Sequence, residues 1–206
     1  SLVAGSNRDG VKLTLDDKRN LALLRSIAEL VAPEFAKRLE QAQAAPPGGM
    51  TANLTPEEAL TFLRDARRLA GAGGAMLVGV DLKKDPAVLD AAYNDAQGVT
   101  AEFNMNLLQR INRELGADFD LAQFRHVAFY DARAGRIEMH LESLCAQTVS
   151  VAGRAFLFAA GERMHTENSC KYSIDEFRQL AQSAGLRARE VWSDPQQYFA
   201  VHLLEI

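Results

Sequence analysis

The stretch Ala75-Met76-Leu77-Val78-Gly79-Val80-Asp81 decides the fold class. It is a continuous apolar run that ends in a carboxylate, which is typical of a strand buried on both faces of a parallel sheet. A helix begins just upstream at Thr55-Pro56-Glu57-Glu58, because threonine caps, proline fits the first helical position and Glu58 completes a capping box. A helix that feeds a central strand predicts an α/β fold, with Asp81 at the strand end where ligand-facing residues gather.

The chain after this strand changes from helical to strand periodicity. Asp85 and Pro86 begin a predicted helix that carries Tyr93, and a further amphipathic helix ends at Gly116. From Phe124 apolar residues alternate with polar ones, which predicts antiparallel hairpins. The predicted strands extend to about residue 158, and a helix over residues 174–184 and strands over 188–192 and 198–205 close the chain.

Residues 1–49 are predicted to form a separate helical segment. Apolar residues recur at helical spacing from about Leu15, and Pro33 ends or kinks that helix. Residues 44–49, Ala-Ala-Pro-Pro-Gly-Gly, form a linker, because prolines and glycines do not sustain a regular element. The sequence therefore predicts a helical segment with a Pro/Gly linker over 1–49 and a second part over 50–206.

Composition excludes several classes of protein. The chain has 206 residues, 48% of them hydrophobic, and a net charge of −4. Such a balance favours a soluble globular protein and disfavours nucleic acid or an anionic membrane as a partner. We find no apolar run long enough to cross a bilayer and no signal-peptide pattern, so a cytoplasmic location is expected.

Cysteine and histidine spacing gives no indication of a metal site. Cys145 and Cys170 are expected to be reduced thiols, since nothing else suggests a secreted disulfide scaffold. The histidines lack metal-type spacing and are expected to be mostly surface or strand residues. They are His126, His140, His165 and His202.

The stretch from His165 to Ser173 places one carboxylate, Glu167, beside hydroxyls and a lysine. A buried carboxylate needs hydrogen-bond donors, and a ligand with N–H groups is able to supply them. The alternative is an ordinary loop carboxylate in water, since acidic residues are mostly exposed.

Ordered sequence blocks carry a family resemblance. They are VGVDLKKDP at 78–86, AYNDA at 92–96, INRELGADF at 111–119, RIEM at 136–139, the stretch around Glu167, and VWSD at 191–194. With them, the region from about Asn53 to Leu204 resembles the histidine-specific, S-adenosylmethionine-dependent methyltransferases of ergothioneine biosynthesis. The resemblance implies a partial Rossmann-like (class I methyltransferase) sheet with an appended antiparallel, β-rich substrate-binding portion.

The resemblance also implies a histidine site. Asn53 and Tyr93 would hold the carboxylate of histidine, Glu167 and Ser169 would face its imidazole, and Met139 would line the pocket. The implied reaction moves a methyl group from S-adenosylmethionine to the α-amino group of histidine, with orientation supplying most of the rate and no side chain assigned as catalytic.

Each of these residues also has a structural interpretation. Asn53 precedes a capping box and suits a turn, Tyr93 and Met139 suit packing, and Ser169 suits a loop hydrogen bond. The glycine-rich loop expected for the cofactor is not found in the sequence. We therefore expect a shortened relative, a fragment of a longer enzyme, or a chain completed by a partner.

Two further expectations concern assembly and function. An exposed edge of the central strand predicts self-association or a partner that covers it. A non-catalytic histidine-binding or assembly module derived from the same family is the alternative to the enzyme.

Overall fold

The computed structural model describes residues 53–206, and the predictions for residues 1–49 lie outside that range. The described chain forms two compact units. The flanking unit consists of residues 53–83 and Cys170–Ile206, and the inserted unit, Lys84–Ser169, enters the chain between those two pieces.

Apart from one strand over residues 163–170, the helices and strands follow one another in the order that the sequence predicts. In chain order they are α1 (Pro56–Ala70), β1 (Ala75–Asp81), α2 (Pro86–Tyr93), α3 (Val99–Leu115), a 3-10 turn (Leu121–Gln123), β2 (Phe124–Asp131), β3 (Arg136–Ser143), β4 (Gln147–Val151), β5 (Arg154–Phe158), β6 (Arg163–Cys170), α4 (Ile174–Ser183), β7 (Arg187–Ser193) and β8 (Phe199–Glu205). No helix among residues 53–206 is both long and apolar enough to span a membrane.

Helix α1 begins with the predicted capping box. The Thr55 hydroxyl accepts the backbone N–H of Glu58 at 3.3 Å, and the Glu58 carboxylate accepts the backbone N–H of Thr55 at 2.8 Å. Two N–H groups that a helix start leaves unpaired are thus satisfied. The helix buries Ala59 and Leu63, and Gly71 caps its C-terminal end.

The sheet of the flanking unit has the order β1-β8-β7, and both strand pairs are antiparallel. The central strand β8 is buried from Ala200 to Leu204. Leu63 of α1 and Phe177 of α4 pack in one core with Val78, Val80 and Leu204. The two helices therefore cover the sheet and anchor β1 within it.

The prediction that β1 belongs to a parallel sheet and is buried on both faces is wrong for the described chain. Strand β1 pairs antiparallel with β8, and of its residues only Val78 and Val80 are buried. An apolar run reports burial but carries no information on the direction of the neighbouring strand. A side chain at position 79 would collide with the ring of Phe199 on β8, because a Cβ on Gly79 would lie 2.6 Å from Cζ of Phe199.

The inserted unit contains a sheet of order β2-β3-β6 and a separate hairpin of β4 and β5. Strands β2 and β3 pair antiparallel from Phe124 opposite Ser143 to Asp131 opposite Arg136, and β4 pairs antiparallel with β5. The predicted hairpins are confirmed. The antiparallel portion that the resemblance describes as appended is inserted between β1 and α4.

The stretch around Glu167 forms strand β6, although the sequence places it only between strands and a helix. Its residues 165–169 are all polar, so the alternation that marks β2 and β3 is missing. Both cysteines are free thiols.

Candidate functional site

Tyr93 and Ser169 lie together in the inserted unit. Tyr93 is the last residue of α2, and Ser169 is the penultimate residue of β6. The Tyr93 hydroxyl donates a hydrogen bond of 2.7 Å to Oγ of Ser169. Ser169 is buried and the tyrosine is half-buried. The structure thus brings together two hydroxyls that the resemblance assigns to opposite ends of one ligand.

Met139 belongs to the core against which Tyr93 packs. Met139 is 3% exposed and clusters with Leu89, Ala128 and Ile137. Its carbonyl accepts a hydrogen bond of 3.0 Å from the Thr166 hydroxyl on β6. Met139 therefore has the packing role that the alternation of apolar and polar residues along β3 favours. It lies in the core beside Tyr93.

Glu167 is half-buried on β6, two residues before Ser169. It is therefore not an exposed loop carboxylate. Asn53 is exposed, begins the described chain two residues before Thr55 and belongs to the flanking unit. Three of the five predicted residues, Tyr93, Met139 and Ser169, are joined by contacts within the inserted unit, and Glu167 shares a strand with one of them. The role of Asn53 stays a prediction.

The sequence predicts no functional role for two polar residues beside Tyr93. Asn104 on α3 is fully buried, and its side-chain amide bonds Nδ1 of His126 at 3.0 Å and the carbonyl of His140 at 3.0 Å. The Nε2 atom of His126 lies 2.9 Å from the carbonyl oxygen of Tyr93. A signal was present in the sequence, because Asn104 lies four residues before the buried Leu108 and so occupies an apolar helix face.

The inserted unit also holds a cluster of potential metal ligands. Ligand atoms of Glu138, His140 and His165 lie within 4.8 Å of one another. The two imidazoles are stacked at 4.7 Å and 19°, and Phe129 stacks on His140 at 5.4 Å. Because a metal ion lies near the plane of each imidazole that binds it, stacked rings do not converge on one ion.

Charge around this cluster argues against a cation as well. Arg136 donates two hydrogen bonds to Oε1 of Glu138, at 2.9 Å and 2.6 Å, while Nε2 of His140 lies 3.1 Å from Oε2. The hydrogen bond from Arg136 holds the pKa of Glu138 below its usual range. The carboxylate is already neutralised by a guanidinium, so the absence of a metal site stays the prediction.

In the flanking unit, Asp81 at the end of β1 pairs with a buried lysine. Nζ of Lys171 lies 2.6 Å from Oδ2 of Asp81, with the lysine side chain 1% and the aspartate side chain 29% exposed. Beside this pair, Leu82 and Tyr172 form a parallel bridge. Asp81 thus serves a buried ion pair at the strand end where the sequence predicts a ligand-facing residue.

Sequence comparisons relate the chain to known proteins. The family described as histidine-specific methyltransferase, SAM-dependent, matches residues 26–206. The chain belongs to this family. Among curated members of similar sequence, histidine N-alpha-methyltransferase of Mycolicibacterium smegmatis is 44% identical over 158 residues, and that of Mycobacterium tuberculosis is 41% identical over 158 residues. Ergothioneine biosynthesis protein 1 of Neurospora crassa is 32% identical over 160 residues.

The alignments cover a larger share of this chain than of its relatives. Each of these alignments covers 76% of this chain. It covers only 49% of each of the two histidine N-alpha-methyltransferases and 18% of the Neurospora protein. The chain therefore spans about half the length of the histidine N-alpha-methyltransferases that it matches.

The histidine methyltransferase family implies S-adenosylmethionine as the cofactor. A nucleotide-like cofactor needs glycines where the backbone approaches it after a strand. Within residues 53–206 the glycine-rich turn at 71–74 instead joins α1 to β1, and a Cβ on Gly74 would lie 2.6 Å from the carbonyl oxygen of Ala70. These glycines build a helix end and a tight turn, so they do not fit a cofactor loop.

Proposed function

We propose that this chain supplies the histidine-binding part of a methyltransferase that transfers the methyl group of S-adenosylmethionine to the α-amino group of histidine. The hydrogen bond between Tyr93 and Ser169 carries the proposal, since it assembles two predicted ligand residues from separate elements. Membership of the family supports the enzyme over a non-catalytic module. A cytoplasmic location and a partner at the β1 edge stay predictions.

Recognition of the imidazole would use one acceptor and one donor. The Glu167 carboxylate would accept the ring N–H group, and the Ser169 hydroxyl would serve the other ring nitrogen. A neutral imidazole carries one N–H and one bare nitrogen, so the two side chains match it. Buried polar groups of this kind reject ligands that lack the ring, because the groups would be left without partners.

The remaining contribution of these residues would be orientation. A methyl acceptor needs a neutral amine with its lone pair aligned, and holding a bound substrate in that geometry lowers the barrier without proton transfer by the protein. With its ring held by Glu167 and Ser169, histidine would keep its α-amino group free to react.

Calorimetry with histidine tests the binding site. We expect Glu167→Gln to weaken histidine binding about ten- to a hundredfold, because a charge-assisted hydrogen bond contributes about 1.5–3 kcal/mol. Glu190→Gln is the matched control, since Glu190 is exposed on β7. Wild-type protein that releases no heat with histidine would contradict the proposal.

A second titration and an assay separate the enzyme from the module. Binding of S-adenosylhomocysteine, together with incorporation of label from S-adenosylmethionine into histidine, is expected for the enzyme. In Glu167→Gln, incorporation of label into histidine should be lost or reduced, while binding of S-adenosylhomocysteine is retained. Histidine binding with no cofactor binding and no incorporation would support the non-catalytic module instead.

A further inference from the structure

We infer that Asn104 and His126 are positioning residues that hold Tyr93 in place for histidine, with His126 in the Nε2–H tautomer. The inference rests on the proposed function, because the reason to hold Tyr93 is its place in the histidine site. All of the residues involved belong to the inserted unit.

The orientation of the Asn104 amide is fixed by its surroundings. One amide proton points to the carbonyl oxygen of His140, which is only able to accept. Turning the amide over would place Oδ1 of Asn104 3.0 Å from that carbonyl oxygen, so two acceptors would face each other. The nitrogen of Asn104 therefore also faces Nδ1 of His126 and donates to it.

The tautomer of His126 follows from this orientation. Since Nδ1 accepts from Asn104, the ring proton of neutral His126 sits on Nε2 and is donated to the carbonyl oxygen of Tyr93 at 2.9 Å. That carbonyl is at the C-terminal end of α2, where carbonyl groups have no partner within the helix. His126 thus caps the turn that carries the Tyr93 ring.

Two more contacts fasten the same end of α2 to β2. The Asp90 carboxylate accepts the backbone N–H of Tyr130 at 2.8 Å, and the Asn94 amide donates to the carbonyl of Ala128 at 3.1 Å. Of these three contacts, only the one from His126 is made to Tyr93 itself, at its carbonyl oxygen. The hydroxyl at the far end of the ring must reach Ser169 within hydrogen-bond distance, so a shift of the backbone by several tenths of an ångström would weaken the 2.7 Å bond.

A pair of substitutions separates positioning from general stability. His126→Asn keeps an acceptor for Asn104 but loses the donor to Tyr93, whereas His126→Gln keeps a donor near the Nε2 position but loses the acceptor. Each variant removes one part-buried hydrogen bond, so we expect similar melting temperatures. We expect histidine affinity to fall about tenfold in His126→Asn and by no more than about threefold in His126→Gln.

Two NMR measurements on the full chain accompany the titrations. Long-range proton–nitrogen spectra should show the proton of His126 on Nε2. With tyrosines labelled at Cζ and Tyr93→Phe used for assignment, the Tyr93 signal should move in His126→Asn and stay in place in His126→Gln.

The outcomes are distinct. Equal loss of affinity in both variants, no loss in either, or a proton on Nδ1 would overturn the inference. Wild-type protein that binds no histidine would overturn the proposed function alone. The positioning of Tyr93 would then be supported by a Cζ signal that moves only in His126→Asn, and refuted by one that does not move.

Discussion

The phenolic proton of Tyr93 is donated to Oγ of Ser169 at 2.7 Å, and a phenol has only one proton to donate. Tyr93 is therefore unable to donate to a ligand carboxylate while it donates to Ser169. Either histidine binding exchanges the Ser169 bond for one to the carboxylate, or Tyr93 acts on the imidazole end by directing the Ser169 proton. The two possibilities assign Tyr93 to opposite ends of the ligand.

Tyr93→Phe, titrated with histidine and with histamine, distinguishes them. Histamine has the imidazole but no carboxylate. If Tyr93 binds the carboxylate, the substitution should weaken histidine binding about tenfold and leave histamine binding unchanged. An equal loss for both ligands would show that Tyr93 acts through Ser169, and Ser169→Ala should then show the same equal loss.

His202 should make stability depend on pH. It is fully buried on β8, neither ring nitrogen has a hydrogen-bond partner within the described chain, and burial, with a smaller contribution from Arg178, lowers its pKa to about 4. The unfolded value is about 6.5. The folded protein thus favours the neutral ring, and stability present above pH 6.5 is lost as the pH falls towards 4, by at most about 3 kcal/mol.

Urea unfolding of His202→Leu at pH 7 and pH 4.5 measures this contribution. The variant should lose less stability between the two pH values than wild type does. At pH 7 it should be as stable or more stable, because two unpaired buried nitrogens are removed. His165→Gln, at an exposed position, controls for a histidine that is not buried. A variant with the same pH dependence as wild type would refute the account.

The ion pair of Lys171 and Asp81 should respond unequally to loss of each partner. Asp81→Asn leaves a buried ammonium without this carboxylate and should cost about 3 kcal/mol of unfolding free energy. Lys171→Met should cost less, since Asp81 is partly exposed and water is able to solvate it. Denaturant unfolding of both variants tests the order, and a larger loss in Lys171→Met would contradict it.

The capping box of α1 should contribute about 1 kcal/mol. Thr55→Ala removes the side-chain acceptor for the N–H of Glu58, and caps of this kind typically have that effect. Thr61→Ala, on the exposed part of the same helix, is the control and should change stability by no more than a few tenths of a kcal/mol. Equal effects of the two substitutions in thermal unfolding would count against the cap.

Much of the fold was predictable because its signals are local. The Thr55 capping box, the Asp85 cap and the stop at Gly116 each depend on residues within one helical turn, and all three appear in the structure. The antiparallel partner of β1 was not predictable, because Val78 meets His202 through a contact that spans most of the described chain. Strand β6 was missed because polar residues fill it.

Part of the candidate site was predictable from the sequence, and part of it was not. Tyr93, Met139, Glu167 and Ser169 follow from the family resemblance, and the structure adds the bond between two of them. Asn104 and His126 belong to a network whose members are 22 residues apart in sequence. Periodicity indicates that Asn104 is buried, but only coordinates show which acceptor it meets.

The parallel bridge between Leu82 and Tyr172 has a consequence for engineering. It brings the two ends of the flanking unit's chain side by side, at the point where Lys84–Ser169 leaves and returns. A short loop joining these ends should leave the β1-β8-β7 sheet intact. We therefore expect that residues 84–169 could be exchanged for the corresponding stretch of a relative without disrupting the β1-β8-β7 sheet.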